Sequence, residues 1–140
     1  MDTTKEATII GVLNDYMEAW ESRDLDAILS SFAPSATVSG FGTGADEKRV
    51  GLDELRAQLE RDFSQSEEFR VTLDWNLVGI SGQVAWVASD VTIRFKLTGQ
   101  AEMAFPARLT SVLQNYDGDW LMEHFHLSVA AGGQEEGQSF

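Results

Sequence analysis

Apolar residues in the first half of the chain recur every three or four positions, which is the period of an amphipathic helix. The first run extends from Thr3 to Glu21 and places these apolar side chains on one face: Ile9, Val12, Leu13, Tyr16, Met17 and Trp20. Asp24 is suited to cap a short second helix that ends before Pro34. A third helix is predicted to begin at Gly51-Leu52-Asp53 and to reach Phe63.

The apolar period changes to two in the second half, and this alternation predicts long strands. They cover residues 69–80, 83–97, 102–116 and 119–129, with glycine-containing turns between them. Asp117-Gly118 is a strong hairpin signal, because a type I′ turn needs positive φ at both central residues. A short strand is also predicted at residues 36–39, followed by a loop over residues 40–50 that has room for a second one.

Helices followed by a meander of strands predict an α+β fold, with three helices packed on one face of a curved antiparallel sheet. Strands of this length have to bend, and the bend would form a half-open cone with a pocket on its concave face. Residues 1–129 are expected to form this single domain. Residues 130–140 have no apolar period and are expected to be a flexible tail.

The net charge of −13 disfavours nucleic acid as a partner, because an acidic surface repels phosphate. The chain has no cysteine, so a disulfide and a thiolate metal site are excluded. No apolar run is long enough for a membrane span and no signal peptide is recognised, so we expect a cytoplasmic protein that does not bind membranes.

Several short motifs resemble the nuclear-transport-factor-2-like superfamily, whose members include SnoaL-like and ketosteroid-isomerase-like domains. The N-terminal motif is Tyr16-x-x-x-Trp20-x-x-x-Asp24-Leu25-Asp26, and the C-terminal motifs are Asp117-Gly118-x-Trp120 and His124-Phe125-His126. The resemblance implies a cystatin-like cone. It does not imply one function, because the superfamily contains isomerases, cyclases, dehydratases and oligomerisation modules.

Ketosteroid isomerase offers a comparison residue by residue. The resemblance places Tyr16 where the isomerase has a tyrosine that donates a hydrogen bond to the developing oxyanion. The position of the catalytic base falls on Gly40, which cannot accept a proton, and the acidic oxyanion partner falls near Ser111. Steroid isomerisation by that mechanism is therefore not expected.

Strand parity sorts the other candidates for the pocket. On the last strand the resemblance suggests that Leu121, Glu123, Phe125, Leu127 and Val129 point inward. The same interpretation directs Trp86, Ala88, Asp90 and Thr92 inward on the second long strand, and Leu109, Ser111 and Leu113 on the third. Trp20 and Phe63 are expected to reach the pocket from the helices.

Asp90 and Glu123 are the predicted proton-transfer pair, since an apolar pocket raises the pKa of a carboxyl group. The alternative is that these carboxylates are exposed or paired with Arg94 or Arg108. Tyr16 is either an oxyanion donor or a core aromatic. Ser111 is a candidate donor to the ligand, and Trp86, Phe125 and Leu127 are candidate apolar walls.

His124 and His126 suggest either a proton shuttle or metal pair, or side chains that fill an interface or the core. The second interpretation is preferred, because no third metal ligand has a recognisable spacing. No metal or cofactor is expected. Val87, Val91, Ile93, Val112, Trp120 and Met122 are predicted on the convex face, where they would form a homodimer interface. The predicted function is binding of a small apolar ligand with acid–base chemistry, and the alternative is a non-catalytic binding or oligomerisation module.

Overall fold

The computed structural model describes residues 3–140 and contains three helices before the long strands. Helix α1 spans Thr3–Glu21, α2 spans Leu25–Ser30 and α3 spans Leu52–Gln65. Asp24 caps α2 as predicted, because its carboxylate accepts a hydrogen bond from the Ala27 backbone N–H at 3.1 Å. The α1 side chains that were predicted to share a face are buried, apart from Val12, which is half-buried.

Six strands form one sheet in the order β2-β1-β6-β5-β4-β3. Their bounds are Ser39–Phe41 (β1), Lys48–Val50 (β2), Ser66–Ser81 (β3), Val84–Leu97 (β4), Glu102–Tyr116 (β5) and Asp119–Ser128 (β6). The α+β class is confirmed, and the sheet is mixed rather than purely antiparallel, since β1 runs parallel to β6. Asp117 and Gly118 have φ values of 53° and 99°, so the predicted β5–β6 turn is confirmed.

The first short strand begins later than predicted. Of its expected residues 36–39, residues 36 and 37 form a turn in which the Thr37 N–H donates to Ser35 Oγ at 3.2 Å. The chain therefore extends only from Ser39, where it pairs with β6 on one side and with β2 on the other.

The helices cover one face of the sheet, which we call the inner face, and the opposite face is the outer face. On β4 the buried residues are Ala85, Val87, Ser89, Val91 and Ile93, and they pack in the core with the helices. The predicted direction of this strand is therefore wrong: Trp86 and Asp90 are exposed on the outer face, and Val87, Val91 and Ile93 are not there.

A β-bulge divides the last strand into two parts of opposite parity. Val112 pairs with His124 and Leu113 pairs with Met122, so Glu123 is an extra residue on β6. The inward set consists of Trp120 and Met122 before the bulge and of Phe125 and Leu127 after it. The prediction for β6 is therefore correct for Phe125 and Leu127 and wrong for its first half.

Residues 130–140 form no strand or helix and are exposed. None of the helices between residues 3 and 140 has the length and hydropathy that crossing a membrane requires.

Candidate functional site

A pocket of about 310 Å³ lies between the helices and the inner face of the sheet. Its apolar wall includes Tyr16, Trp20, Phe32, Leu59, Phe125 and Leu127. These side chains come from α1, the segment after α2, α3 and β6, so all the layers of the fold contribute to the wall. A wall of this kind suits a small apolar ligand.

A group of polar residues lines one side of the same pocket, and we call it the polar cluster: Glu47, Arg49, Gln58 and Asp62. Arg49 lies on β2, and Gln58 and Asp62 lie one turn apart on α3. Gln58 donates to Asp62 Oδ1 at 2.8 Å and accepts from Arg49 Nε at 2.9 Å. The pocket thus combines an apolar wall with a few fixed polar groups, the arrangement that orients a ligand.

The Tyr16 ring is buried in an aromatic cluster. It packs edge-on against Phe32 and Trp20, with ring centroids 5.8 and 6.5 Å away. Burial raises the pKa of Tyr16 to about 12; a hydrogen bond with Trp20 partly opposes this, and the negative charge of Asp62 adds to it. The phenol therefore keeps its proton at neutral pH and is available as a hydrogen-bond donor.

Asp62 is the carboxyl group that the pocket brings near Tyr16. Burial raises its pKa above the usual range, and the negative charge of Glu47 acts in the same direction. The hydrogen bond from Gln58 and the charges of Arg61 and Arg49 lower the pKa, but they do not cancel the effect of burial. A half-buried carboxyl group of this kind can exchange a proton closer to neutral pH than a free one.

The sequence interpretation missed Asp62, although its spacing carried a signal. It follows Leu55 by seven residues and Leu59 by three, so it lies on the buried face of α3. Gln58 and Arg49 were also missed, since no sequence pattern distinguishes polar residues that face a pocket from those that face solvent.

The predicted carboxylate pair does not lie in the pocket. Asp90 is exposed on the outer face, opposite Arg108 in the β4–β5 register. Glu123 lies at the bulge and accepts a hydrogen bond from the Tyr116 hydroxyl, which contributes most to the raised pKa of Tyr116. The two carboxylates are also separated along the sheet, because Asp90 pairs at Arg108 and Glu123 lies beside Val112 and Leu113.

The structure places some of the predicted ligand-binding residues in the pocket wall and others outside it. Trp20, Phe125 and Leu127 line the pocket, whereas Trp86 is on the outer face. Phe63 packs edge-on against Trp20 at 5.4 Å and lies under the Arg23 guanidinium, outside the pocket wall. Ser111 is fully buried beside Phe125 in the β5–β6 register, and its hydroxyl has no hydrogen-bond partner within residues 3–140.

Gly40 lines the pocket, and the structure explains why no side chain stands there. A Cβ atom at this position would lie 2.3 Å from the Phe125 ring and 3.1 Å from Leu55. The position to which the resemblance to ketosteroid isomerase assigns the catalytic base thus has the Phe125 ring where a side chain would begin. Any acid–base group in this pocket has to come from another element.

His124 and His126 project from the outer face of β6 beside β1. His124 Nδ1 is 2.8 Å from Ser39 Oγ, and both imidazoles pack edge-on against Phe41. Partial burial lowers the pKa of His124, as does the positive charge of His126. Within residues 3–140 no third His, Asp or Glu joins them in a group able to hold a metal ion.

The family model of the SnoaL-like domain matches residues 9–132. The chain belongs to the SnoaL-like domain family. The match includes all the elements around the pocket, from Ile9 on α1 to the end of β6. No curated protein matches the chain.

Solved structures share the fold of this SnoaL-like domain at low sequence identity. A nuclear-transport-factor-2-like superfamily protein from Salmonella enterica has a TM-score of 0.84 at 16% identity, over 99% of this chain and 100% of its own. A candidate dehydratase of the same family from Streptomyces avermitilis has a TM-score of 0.82 at 17% identity, over 93% and 99%. A cystatin-like protein of unknown function from Nostoc punctiforme has a TM-score of 0.74 at 14% identity, over 91% and 92%. These likenesses confirm the cystatin-like fold.

Proposed function

We propose that this SnoaL-like protein binds a small, largely apolar carbonyl compound in its pocket and transfers a proton on it. The observation that carries the proposal is that Tyr16 and Asp62 share the pocket and that burial raises the pKa of both. Tyr16 is then a hydrogen-bond donor that keeps its proton at neutral pH, and Asp62 is a carboxyl group suited to exchange a proton.

In this mechanism the Asp62 carboxylate removes a proton from the carbon next to the ligand's carbonyl. The electron pair of the broken C–H bond moves toward the carbonyl oxygen, and the Tyr16 hydroxyl stabilises the resulting oxyanion with a hydrogen bond. If the ligand has a carbon–carbon double bond one carbon further from the carbonyl, the electron pair of the oxyanion re-forms the carbonyl and this double bond shifts toward it. Asp62 then returns the proton to the far carbon of the original double bond, and the ligand is isomerised. If the ligand has a hydroxyl group on the next carbon, the proton leaves with that group as water and the ligand is dehydrated.

The candidate dehydratase from Streptomyces avermitilis supports the second outcome, because its fold is shared over most of both chains. The composition of the pocket supports a neutral ligand with an apolar body. Among residues 3–140, only Glu47, Arg49 and Asp62 bring charge to the pocket wall. Arg49 and Asp62 both hydrogen-bond to Gln58.

The experiment measures hydrogen–deuterium exchange at the methylene groups beside the carbonyl of 2-tetralone, a neutral bicyclic ketone, by proton NMR in D2O. The wild type is expected to accelerate the exchange above the buffer rate. Asp62→Asn should lose roughly 100-fold or more of the acceleration, the usual contribution of a general base. Tyr16→Phe should lose roughly 100-fold, as when one oxyanion donor is removed.

Two matched variants are the controls. Asp90→Asn makes the same change at an exposed carboxyl, and Tyr116→Phe removes a hydroxyl bonded to Glu123 outside the pocket. Both should retain the wild-type rate. Binding of 2-tetralone or another fused-ring ketone without accelerated deuterium exchange would contradict the catalytic proposal and favour the non-catalytic binding module. No binding of any of them would contradict the pocket proposal as well.

We also propose that the protein is a homodimer through its outer face. The exposed apolar side chains there, which we call the outer patch, are Trp75, Leu77, Val84 and Trp86. Trp75, Leu77 and Trp86 are 52%, 58% and 46% exposed, which is unusual for large apolar residues on neighbouring strands. A second copy related by a two-fold axis would cover both patches at once.

A further inference from the structure

Gln58 connects strand β2 to the carboxyl group of Asp62 through its side-chain amide. Arg49 Nε donates to Gln58 Oε1 at 2.9 Å, and Gln58 Nε2 donates to Asp62 Oδ1 at 2.8 Å. The same amide nitrogen is 3.5 Å from Glu47 Oε1. The hydrogen bonds therefore run in one direction, from Arg49 through Gln58 to Asp62.

The chemistry of the two neighbours fixes the orientation of this amide. A guanidinium group only donates hydrogen bonds, and an ionised carboxylate only accepts them. If the amide were reversed, its N–H groups would face Arg49 and its oxygen would face the carboxylate of Asp62, so both hydrogen bonds would be lost. The arrangement thus has a single polarity, although amide oxygen and nitrogen are otherwise hard to distinguish.

The two oxygens of Asp62 are therefore not equivalent. Oδ1 accepts from Gln58 whether or not the carboxyl group is protonated, since its carbonyl form also accepts. Oδ2 has no hydrogen-bond partner within residues 3–140. A proton on Asp62 is then favoured on Oδ2, because Oδ1 accepts the Gln58 N–H better as a carbonyl oxygen than as the oxygen of an O–H group.

We propose that Gln58 is a positioning residue for Asp62, one whose amide holds Oδ1 and leaves Oδ2 as the oxygen that exchanges a proton with the ligand. This inference rests on the proton-transfer role proposed above. Gln58 does not touch the reacting atoms in this account. It acts by fixing the direction of the carboxyl group and by stabilising its ionised form.

Other charged groups around Asp62 come from three parts of the chain. Glu47 precedes β2, Arg49 lies on β2, and Arg61 lies on α3 beside Asp62. Arg61 Nη1 binds Asp46 at 2.7 Å and Arg61 Nη2 binds Glu47 at 3.4 Å, so its charge is shared with two other carboxylates. Tyr16 faces Asp62 from α1, and burial raises its pKa to about 12, so the phenol is uncharged at neutral pH. Gln58 is thus the only group within residues 3–140 that hydrogen-bonds the Asp62 side chain.

The experiment follows the carboxyl carbon of Asp62 by ¹³C NMR as a function of pH, in the wild type and in Gln58→Met. Methionine keeps the length of the side chain and removes the amide. The pKa of Asp62 should rise further in Gln58→Met, because a hydrogen bond to the charged form is lost. The matched control is Gln65→Met on the same helix, whose side chain lines the pocket without a hydrogen bond in the part of the chain described.

A folded Gln58→Met protein in which the pKa of Asp62 equals the wild-type value would overturn the inference. If that variant does not fold, a pH titration of the wild type tests the inference instead. The side-chain amide signals of Gln58 should shift with the same midpoint as the carboxyl carbon of Asp62. Amide signals that do not follow the titration of Asp62 would overturn the inference. The exchange of 2-tetralone distinguishes the two proposals. If the pKa of Asp62 depends on Gln58 but the protein does not accelerate the exchange of 2-tetralone, the positioning role of Gln58 is supported and the proton-transfer proposal is contradicted.

The pH profile of the exchange is a readout that loss of stability alone would not move. In Gln58→Met its midpoint should shift to higher pH together with the pKa of Asp62, while the Gln65→Met profile stays at the wild-type midpoint.

Discussion

The ring of Phe125 occupies the space in which a side chain at Gly40 would begin. A Cβ atom at Gly40 would lie 2.3 Å from Phe125 Cε1 and 2.4 Å from its Cζ. The two residues are directly paired between β1 and β6. This contact leaves no room for a side chain at position 40, so the proton-transfer group that we propose for the pocket lies on another element, α3.

Replacing Gly40 with alanine should therefore destabilise the protein by about 1–3 kcal/mol, the usual cost of overpacking a core. Gly11→Ala is the matched control, because nothing lies within 4 Å of its Cβ position in the middle of α1. There alanine should stabilise by about 0.5–1 kcal/mol through helix propensity. Urea denaturation measures both changes, and a neutral Gly40→Ala would show that Phe125 is free to move.

Two buried serines on the inner face should respond to alanine in opposite ways. Ser89 Oγ donates to the Leu109 carbonyl at 2.7 Å, whereas Ser111 Oγ has no partner within residues 3–140. Ser89→Ala should lower the free energy of unfolding by about 1 kcal/mol, the net value of a hydrogen bond. Ser111→Ala should be neutral or stabilising, since it removes an unsatisfied polar group. A loss at Ser111 equal to that at Ser89 would contradict this difference.

The proposed dimer through the outer patch predicts that a negative charge at Trp86 weakens self-association. Trp86 lies over Gly79, where a Cβ atom would be 2.2 Å from its ring, so the side chain has a fixed position on the sheet. Trp86→Glu should weaken self-association roughly tenfold or more, as expected for an aromatic residue at the centre of an interface. Sedimentation equilibrium measures this, with Phe140→Glu in the exposed tail as the control. A monomeric wild type would rule out the dimer.

The raised pKa of Asp62 makes stability depend on pH in a defined direction. The folded protein binds the proton of the Asp62 carboxyl group more tightly than the unfolded chain does. The stabilisation that results is therefore complete at pH values below the usual pKa range of a carboxyl group. That contribution is lost as the pH rises through the higher pKa of the folded state. Asp62→Asn should therefore be more stable than the wild type at neutral pH, and the difference should shrink as the pH falls.

Asp90→Asn is the matched control for this titration. It removes one negative charge from a protein of net charge −13 and so measures the general gain from reduced repulsion. At neutral pH the increase in the free energy of unfolding should be larger for Asp62→Asn than for Asp90→Asn. The difference should be modest, because Asp62 is only half-buried. Equal curves for the two variants would mean that burial does not affect Asp62.

The sequence predicts the elements of this fold well and their faces less well. Apolar spacing gives α1 and the four long strands to within a few residues, because burial imposes a period on each element. A period of two shows which residues share a face of the sheet, but not which of the two faces the helices cover. The prediction that Trp86 and Asp90 point inward is wrong for this reason. The apolar set Val87, Val91 and Ile93 was in fact the better guide to the inner face.

The bulge at Glu123 had no signal in the sequence, and it reversed the parity of β6 over its first half. Tyr16, Phe125 and Leu127 were placed correctly in the pocket, since the helix period and the second half of β6 are regular. Asp62 is a charged residue on the apolar face of α3. Such a position indicates a functional site, because burying a carboxyl group costs free energy.

An NMR titration of the ¹⁵N-labelled protein with 2-tetralone and related fused-ring ketones shows whether the pocket on the inner face binds such a ligand. We expect shifts at Tyr16, Asp62 and Phe125, which surround the pocket, and unchanged signals at Trp75 and Trp86 on the outer face. Shifts confined to the outer face, or no shifts with any of these ketones, would contradict this expectation.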